Sequence, residues 1–231
     1  MGAIATIKIN VPVNIYKRDP EQTKLGRRII NDSILLIDIL GFEAFTFKKL
    51  AHQINSTEAS VYRYFENKHN LLVYLVSWYW SWLEYQIDYQ VNNIEDPEKK
   101  LKIAIRVLAQ VDKTDQNFSH INENALHRIV ISEAAKSYYT KSVDLENKEG
   151  FFRSYKSLCI KISSFMHEFN PRYPFSHALS STVLESAHQQ VFFSQHLPSL
   201  TDFKVGDDLG YSTLIEFLEH LIFIPLRNYV H

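Results

Sequence analysis

The side chains best suited to chemistry lie close together between Thr46 and Lys68: Thr46, Lys48, Lys49, Glu58, Ala59, Ser60, Tyr62, Arg63, Tyr64 and Lys68. Hydroxyls, ammonium groups and a guanidinium predominate. Such groups hydrogen-bond to phosphate oxygens and to base edges rather than break bonds. Thr46, Lys49, Tyr62 and Lys68 suit phosphate, and Lys48 is a further DNA-binding candidate. Glu58, Ala59, Ser60, Arg63 and Tyr64 are the candidates for base edges.

The elements that must carry them follow from spacing. Phe47, Leu50, Ala51 and Ile54 fall at helical intervals and make one apolar face, with Thr46 placed to cap the free backbone N–H groups. Asn55-Ser56-Thr57 reads as a tight turn, because Asn tolerates left-handed backbone. A second short helix runs from Glu58 to about Phe65. Its periodicity turns Ala59, Val61 and Phe65 inward and makes Ser60, Tyr62, Arg63 and Tyr64 candidates to face out, the rings of Tyr62 and Tyr64 having a second reading, packed against the helix that follows. A longer helix opens near Asn67. Two short helices at a steep angle, the second carrying polar, aromatic and basic groups, fit a DNA major groove.

The run Gly41, Phe45-Thr46, Leu50-Ala51, Ser60-Val61-Tyr62-Arg63-Tyr64-Phe65, Asn67-Lys68 and Leu71-Leu72 resembles the tetracycline-repressor (TetR) family of bacterial regulators over about residues 24–75. Asn55-Ser56-Thr57 departs from the family's usual Gly-Val-Ser turn. The resemblance implies an all-α chain: a three-helix DNA-binding head over 23–66, and over 67–231 a helical body that dimerises and holds an effector. It implies a homodimer on a palindromic operator, paired through helices near 175–196 and 211–229. There Ser180, Ser181, Ser186 and Ala187 would permit close helix approach.

Composition agrees with a folded chain. The 231 residues are 45% hydrophobic and 22% charged, with six Gly and seven Pro. Residues 1–70 hold ten Lys and Arg against seven Asp and Glu, and residues 71–231 hold fifteen against nineteen. The basic excess therefore lies at the N-terminal end, as phosphate contact requires. The one cysteine, Cys159, excludes an intrachain disulfide and suggests a reducing, cytoplasmic setting. It falls in an apolar helical run, which predicts a buried, inert thiol. No apolar run has the length of a membrane span.

Residues 1–22 read as an extended arm, a loose tail being favoured over an arm that reaches a DNA groove. Helices are predicted over 23–40, ended by Gly41, and from Asn67 to between 89 and 92. Others are predicted from Pro97 to 111, over 122–138, 151–169, 175–196 and 211–229, giving roughly nine in all. Thr114–Ser119, 144–150 and 198–210 read as breaks, and Pro225 as a kink or stop. The helix from Asn67 is apolar over most of its circumference and so is largely buried. Aromatic and polar content makes Trp82, Tyr85, His127, Tyr155 and Phe165 the candidates for an effector pocket.

Catalytic patterns are missing from the sequence. There is no glycine-rich phosphate loop, G-x-S-x-G or H-E-x-x-H, and the ten histidines show no metal spacing. No cofactor or metal site is expected. Three readings remain: a regulator answering to a small molecule; a DNA-binding adaptor answering to a protein partner; and an enzyme or carrier on a helical bundle. Salt-dependent DNA affinity separates the first two from the third. An exposed apolar patch with a filled core would favour the adaptor.

Overall fold

The computed structural model describes residues 9–109, 121–204 and 208–229. Among them are eleven α-helices, short 3-10 turns and no strand. The helices are α1 (Lys24–Leu40), α2 (Phe47–Gln53), α3 (Glu58–Tyr62), α4 (Lys68–Val91), α5 (Pro97–Ala109), α6 (Glu123–Glu133), α7 (Ala135–Tyr138), α8 (Val143–Glu149), α9 (Arg153–Phe169), α10 (Ser176–His196) and α11 (Asp208–Asn228). The fold class is all-α, as expected.

The helix ends follow local chemistry. The hydroxyls of Thr23, Thr46 and Thr57 accept the amides of Gly26, Lys49 and Ser60, capping α1, α2 and α3. Each such cap contributes about 1 kcal/mol. Gly41 ends α1 at φ 75°, a backbone state that glycine enters without a Cβ clash. Asn55 takes φ 48° in the turn between α2 and α3, as the sequence suggested.

Two expectations change. The helix predicted over 122–138 is divided at Ala134, whose carbonyl takes both the amide and the hydroxyl of Ser137. The charged stretch 144–150, read as a loop or the frayed start of a helix, is the helix α8, closed by Gly150 at φ 84°. Pro225 lies inside α11, which continues to Asn228. The Asn170 side chain donates to the Leu226 and Tyr229 carbonyls at that end. The break expected at Thr114–Ser119 lies outside the described residues.

The chain divides into two compact units. The first comprises the described residues of Met1–Ser81 and Asp112–Ser154. Its core holds Ile29, Ile30, Ile34 and Ile37 of α1 with Phe45, Leu50, Val61, Phe65 and Leu72, and α1 packs on α2 and α6. Each such side chain stabilises the fold by roughly 1.5–3 kcal/mol when removed from water. The second comprises the described residues of Trp82–Val111 and Tyr155–His231. There α5, α10 and α11 pack on one another around Leu101, Ile105, Val183, Leu184, Leu218 and Ile222.

The N-terminal arm departs most from expectation. Residues 9–22 are not a loose tail; they form a strap across the first unit. Ile15 is fully buried, and the Tyr16 ring meets the Tyr74 ring edge-on at 5.9 Å. The Asn10 carbonyl accepts from Ser81, and the Ile15 carbonyl from Asn70. Asn14 donates to the Glu149 carbonyl. Gly26 allows the close approach: a Cβ there would lie 2.2 Å from the Pro20 carbonyl oxygen.

Candidate nucleic-acid interface

α2 and α3 are too short to be stable alone. They are held from behind. Phe47, Leu50, Ala51 and Ile54 are buried beneath α2, and Val61 beneath α3. The Arg28 guanidinium donates to the Ile54 carbonyl at 2.7 Å and so ties α1 to the turn. Arg27 donates to the Glu21 carbonyl. Both arginines thus give a donor to the backbone.

This packing fixes what faces outward. Thr46, Lys48, Lys49, Glu58, Ala59, Tyr62 and Arg63 are exposed, and Ser60 is half-buried. Ala59, placed inward by periodicity, is thus on the open side: a helix of five residues gives its first turn little to bury against. Lys49 donates to the Ala44 carbonyl at 2.7 Å. The Tyr62 ring leans edge-on against Phe47 at 5.0 Å yet stays 45% exposed, so its hydroxyl end meets solvent. Arg63 caps α3 and forms no salt bridge among the described residues.

Tyr64 is a correction. Expected among the base-edge candidates, it is only 2% exposed. Its backbone has left α3, which turns the ring inward, and its hydroxyl lies 2.7 Å from Thr23 Oγ1. Lys68 is partly engaged too. Its ammonium donates to the Phe42 and Glu43 carbonyls at 3.1 and 3.2 Å and sits 4.7 Å above the Phe42 ring. It clamps the loop after α1 while staying half-exposed at the start of α4.

Sequence reasoning missed the strap's part in this region. The Lys17 amide donates to the Tyr64 carbonyl at 2.8 Å, and the Arg18 guanidinium lies 5.5 Å over the Tyr64 ring. No periodicity marks such a contact, because the residues involved are far apart in the chain and the strap has no regular repeat.

The five pocket candidates fall in both units. His127 belongs to the first unit, where Nδ1 lies 2.7 Å from the Tyr79 hydroxyl. Trp82, Tyr85, Tyr155 and Phe165 belong to the second. Trp82 is buried, and the Tyr155 hydroxyl donates to Glu185. Phe165 borders a cleft of about 610 Å³ in the second unit, which Glu84, Asp88, Lys100 and Lys161 also line. Lys161 pairs there with Asp88, and Lys100 with Glu168. Trp82, His127 and Phe165 are buried, and Tyr85 and Tyr155 are half-buried.

Of the small residues of α10, Ser181 and Ser186 are half-buried. Ser180 and Ala187 are fully buried within the chain, and Ser180 donates to the Cys159 carbonyl at 2.8 Å. The Ser180 bond ties α10 to α9 at that point. Cys159 is half-buried, and burial pushes its thiol up to about 11, which agrees with an inert cysteine.

Among the described residues, no group of three or more His, Cys, Asp or Glu could hold a metal ion, and no helix is long and apolar enough to cross a membrane.

Residues 36–75 match the family model for bacterial regulatory proteins, tetR family. A comparison with curated protein sequences gives no match. Solved structures share the fold at low identity. AibR, in complex with isovaleryl coenzyme A and operator DNA, superposes with a TM-score of 0.58 at 15% identity, over 85% of this chain and 98% of its own. The fatty acid degradation regulator FadR from Bacillus halodurans gives 0.60 at 16%, over 88% and 95%. The TetR family transcriptional regulator PfmR from Thermus thermophilus gives 0.57 at 14%, over 84% and 97%. The chain thus carries a segment, residues 36–75, that matches the tetR-family model, within an all-helical fold shared with solved transcriptional regulators.

Proposed function

We propose that the protein is a repressor that binds a palindromic operator as a homodimer and is released or retuned by a small molecule. Residues 23–66 are the DNA-binding head, and 67–231 are the body that dimerises and holds the effector. The observation that carries this reading is the two-sidedness of α3. Val61 is sealed against the head's core, while Ser60, Tyr62 and Arg63 stand on the open side with Lys48 and Lys49 nearby in sequence. A rigid helix with one polar, basic face open to solvent fits a major groove.

Thr46, Lys49, Tyr62 and Lys68 hold phosphates in this reading, and Glu58, Ala59, Ser60 and Arg63 meet base edges. Two heads on a two-fold axis imply recognition helices about 34–36 Å apart. α11 supports self-association, with Phe217 and Ile224 exposed two turns apart on one side. AibR, solved with isovaleryl coenzyme A as well as operator DNA, favours a small organic effector. The cleft beside Phe165, with acidic and basic groups at its wall, supports a ligand of mixed character. To shift DNA affinity, that ligand must favour one head spacing by about 1–3 kcal/mol.

The test begins by selecting duplexes from a random library with the full-length protein. Recovered sites with two-fold symmetry, bound by a dimer in sedimentation, support the reading. Recovery of no preferred sequence, or a monomer on an asymmetric site, would sink it.

A further inference from the structure

The strap places charge beside the recognition helix. The Lys17 amide is bonded to the carbonyl of Tyr64, the residue directly after Arg63. The Arg18 guanidinium covers the outer side of the Tyr64 ring at 5.5 Å. The Tyr64 hydroxyl meets Thr23, the cap of α1, whose next residue is Lys24. Lys17, Arg18, Lys24 and Arg63 are all exposed, and none forms a salt bridge among the described residues. Asp19, the nearest acid in the strap, is turned back on its own turn, accepting from the Glu21 amide and the Gln22 side chain. Glu66, exposed on the loop after α3, is the opposing charge.

Position is as telling as sign. A cation on a free tail loses conformational entropy on binding, which weakens its contribution. Here Ile15 is fully buried, Pro20 is wedged against Gly26, and Asn70 and Ser81 hold the strap's carbonyls. The backbone under Lys17 and Arg18 is already fixed against the end of α3.

We propose that the N-terminal strap is part of the DNA interface: Lys17 and Arg18, held against Tyr64, bind backbone phosphates flanking the groove that α3 enters. This rests on the DNA-binding reading above. The two cations contact phosphate and not bases, so they add affinity and salt dependence without altering the preferred sequence.

The experiment uses the full-length protein and a duplex recovered by selection, with affinity measured across a salt series. The pair K17Q/R18Q is expected to flatten the slope of log affinity on log salt by about 2, since each phosphate neutralised contributes roughly 0.9. Over a roughly fourfold rise in salt it should lose about tenfold less affinity than wild type. Its ranking of base substitutions in the site should be unchanged. The charge-preserving pair K17R/R18K should keep the wild-type slope. A wild-type slope in K17Q/R18Q overturns the proposal. So does an equal loss in both pairs, which would make the strap a structural brace only. If the wild type itself binds duplex DNA without salt dependence, the DNA-binding reading falls first and takes this one with it.

Discussion

The Tyr64 hydroxyl and Thr23 Oγ1 lie 2.7 Å apart across 41 residues of chain. Thr23 also accepts the Gly26 amide, so one hydroxyl caps α1 and anchors the residue that follows α3. The start of α1 and the end of α3 are thereby tied by one side-chain contact, beside the Arg28 bond to Ile54.

Tyr64→Phe should isolate that contact. The ring stays, and with it the packing under Arg18 and the backbone bond to Lys17; only the hydroxyl is lost. A neutral hydrogen bond of this kind contributes about 1 kcal/mol. Urea unfolding should show a loss of that order with an unchanged m-value. Stability equal to wild type would mean that Thr23 and solvent replace the bond fully.

Gly26→Ala tests the strap itself. The new Cβ would lie 2.2 Å from the Pro20 oxygen and 2.6 Å from its Cα, both backbone. Neither neighbour is a flexible side-chain end, so the strap must lift. Overpacking of this sort costs about 1–3 kcal/mol. Limited proteolysis should then cut within residues 9–22 much faster than in wild type, while the far-UV helical signal persists. Unchanged protection would show that the helix can yield instead.

The helices of this region could be read from sequence because their signals are local. Thr46, Thr57 and Gly41 act within one turn of where they stand, and the apolar spacing of Phe47, Leu50 and Ile54 directly encodes a buried face. Tyr64 could not be read that way. It sits one residue past the helix-capping Arg63, where the 3.6-residue period no longer gives direction, and its partner Thr23 is a tertiary neighbour. Ser180 shows a related limit: its size does not say that its hydroxyl will bond the Cys159 carbonyl. The strap lacked any repeat to read, and its order rests on Ile15 and Pro20 finding places in a core built by others.

His188 gives the second unit a sensitivity to acid. It is buried on α10, Nδ1 lies 2.9 Å from the Leu184 carbonyl, and burial holds the imidazole below its ordinary value, against the pull of that carbonyl. Because the folded pKa is depressed, the unfolded chain takes up a proton first. Stability is then present above the usual histidine range near 6.5 and is lost as pH falls below it, by up to about 1.4 kcal/mol per pH unit. Urea midpoints of wild type and His188→Gln, measured from about pH 7 down to about pH 5, should converge as the pH drops. Parallel curves would exclude His188 as the source.

Lys68 and Arg63 should separate a residue that both builds and binds from one that only binds. Arg63 is exposed and holds nothing in the free protein beyond its backbone cap. Arg63→Ala should leave the thermal midpoint unchanged and weaken binding to a selected duplex by roughly 1–3 kcal/mol, with relaxed preference at one base pair. Lys68 holds the Phe42 and Glu43 carbonyls and covers the Phe42 ring. Removing its ammonium leaves two acceptors to solvent and loosens the loop between α1 and α2, so Lys68→Ala should lose about 1–2 kcal/mol of stability. Its DNA affinity should fall almost equally for matched and mismatched sites, because a phosphate contact reads no sequence. Wild-type binding by Arg63→Ala, or an Arg63→Ala variant that unfolds early while Lys68→Ala does not, would reverse the two roles and move the groove-reading face away from the end of α3.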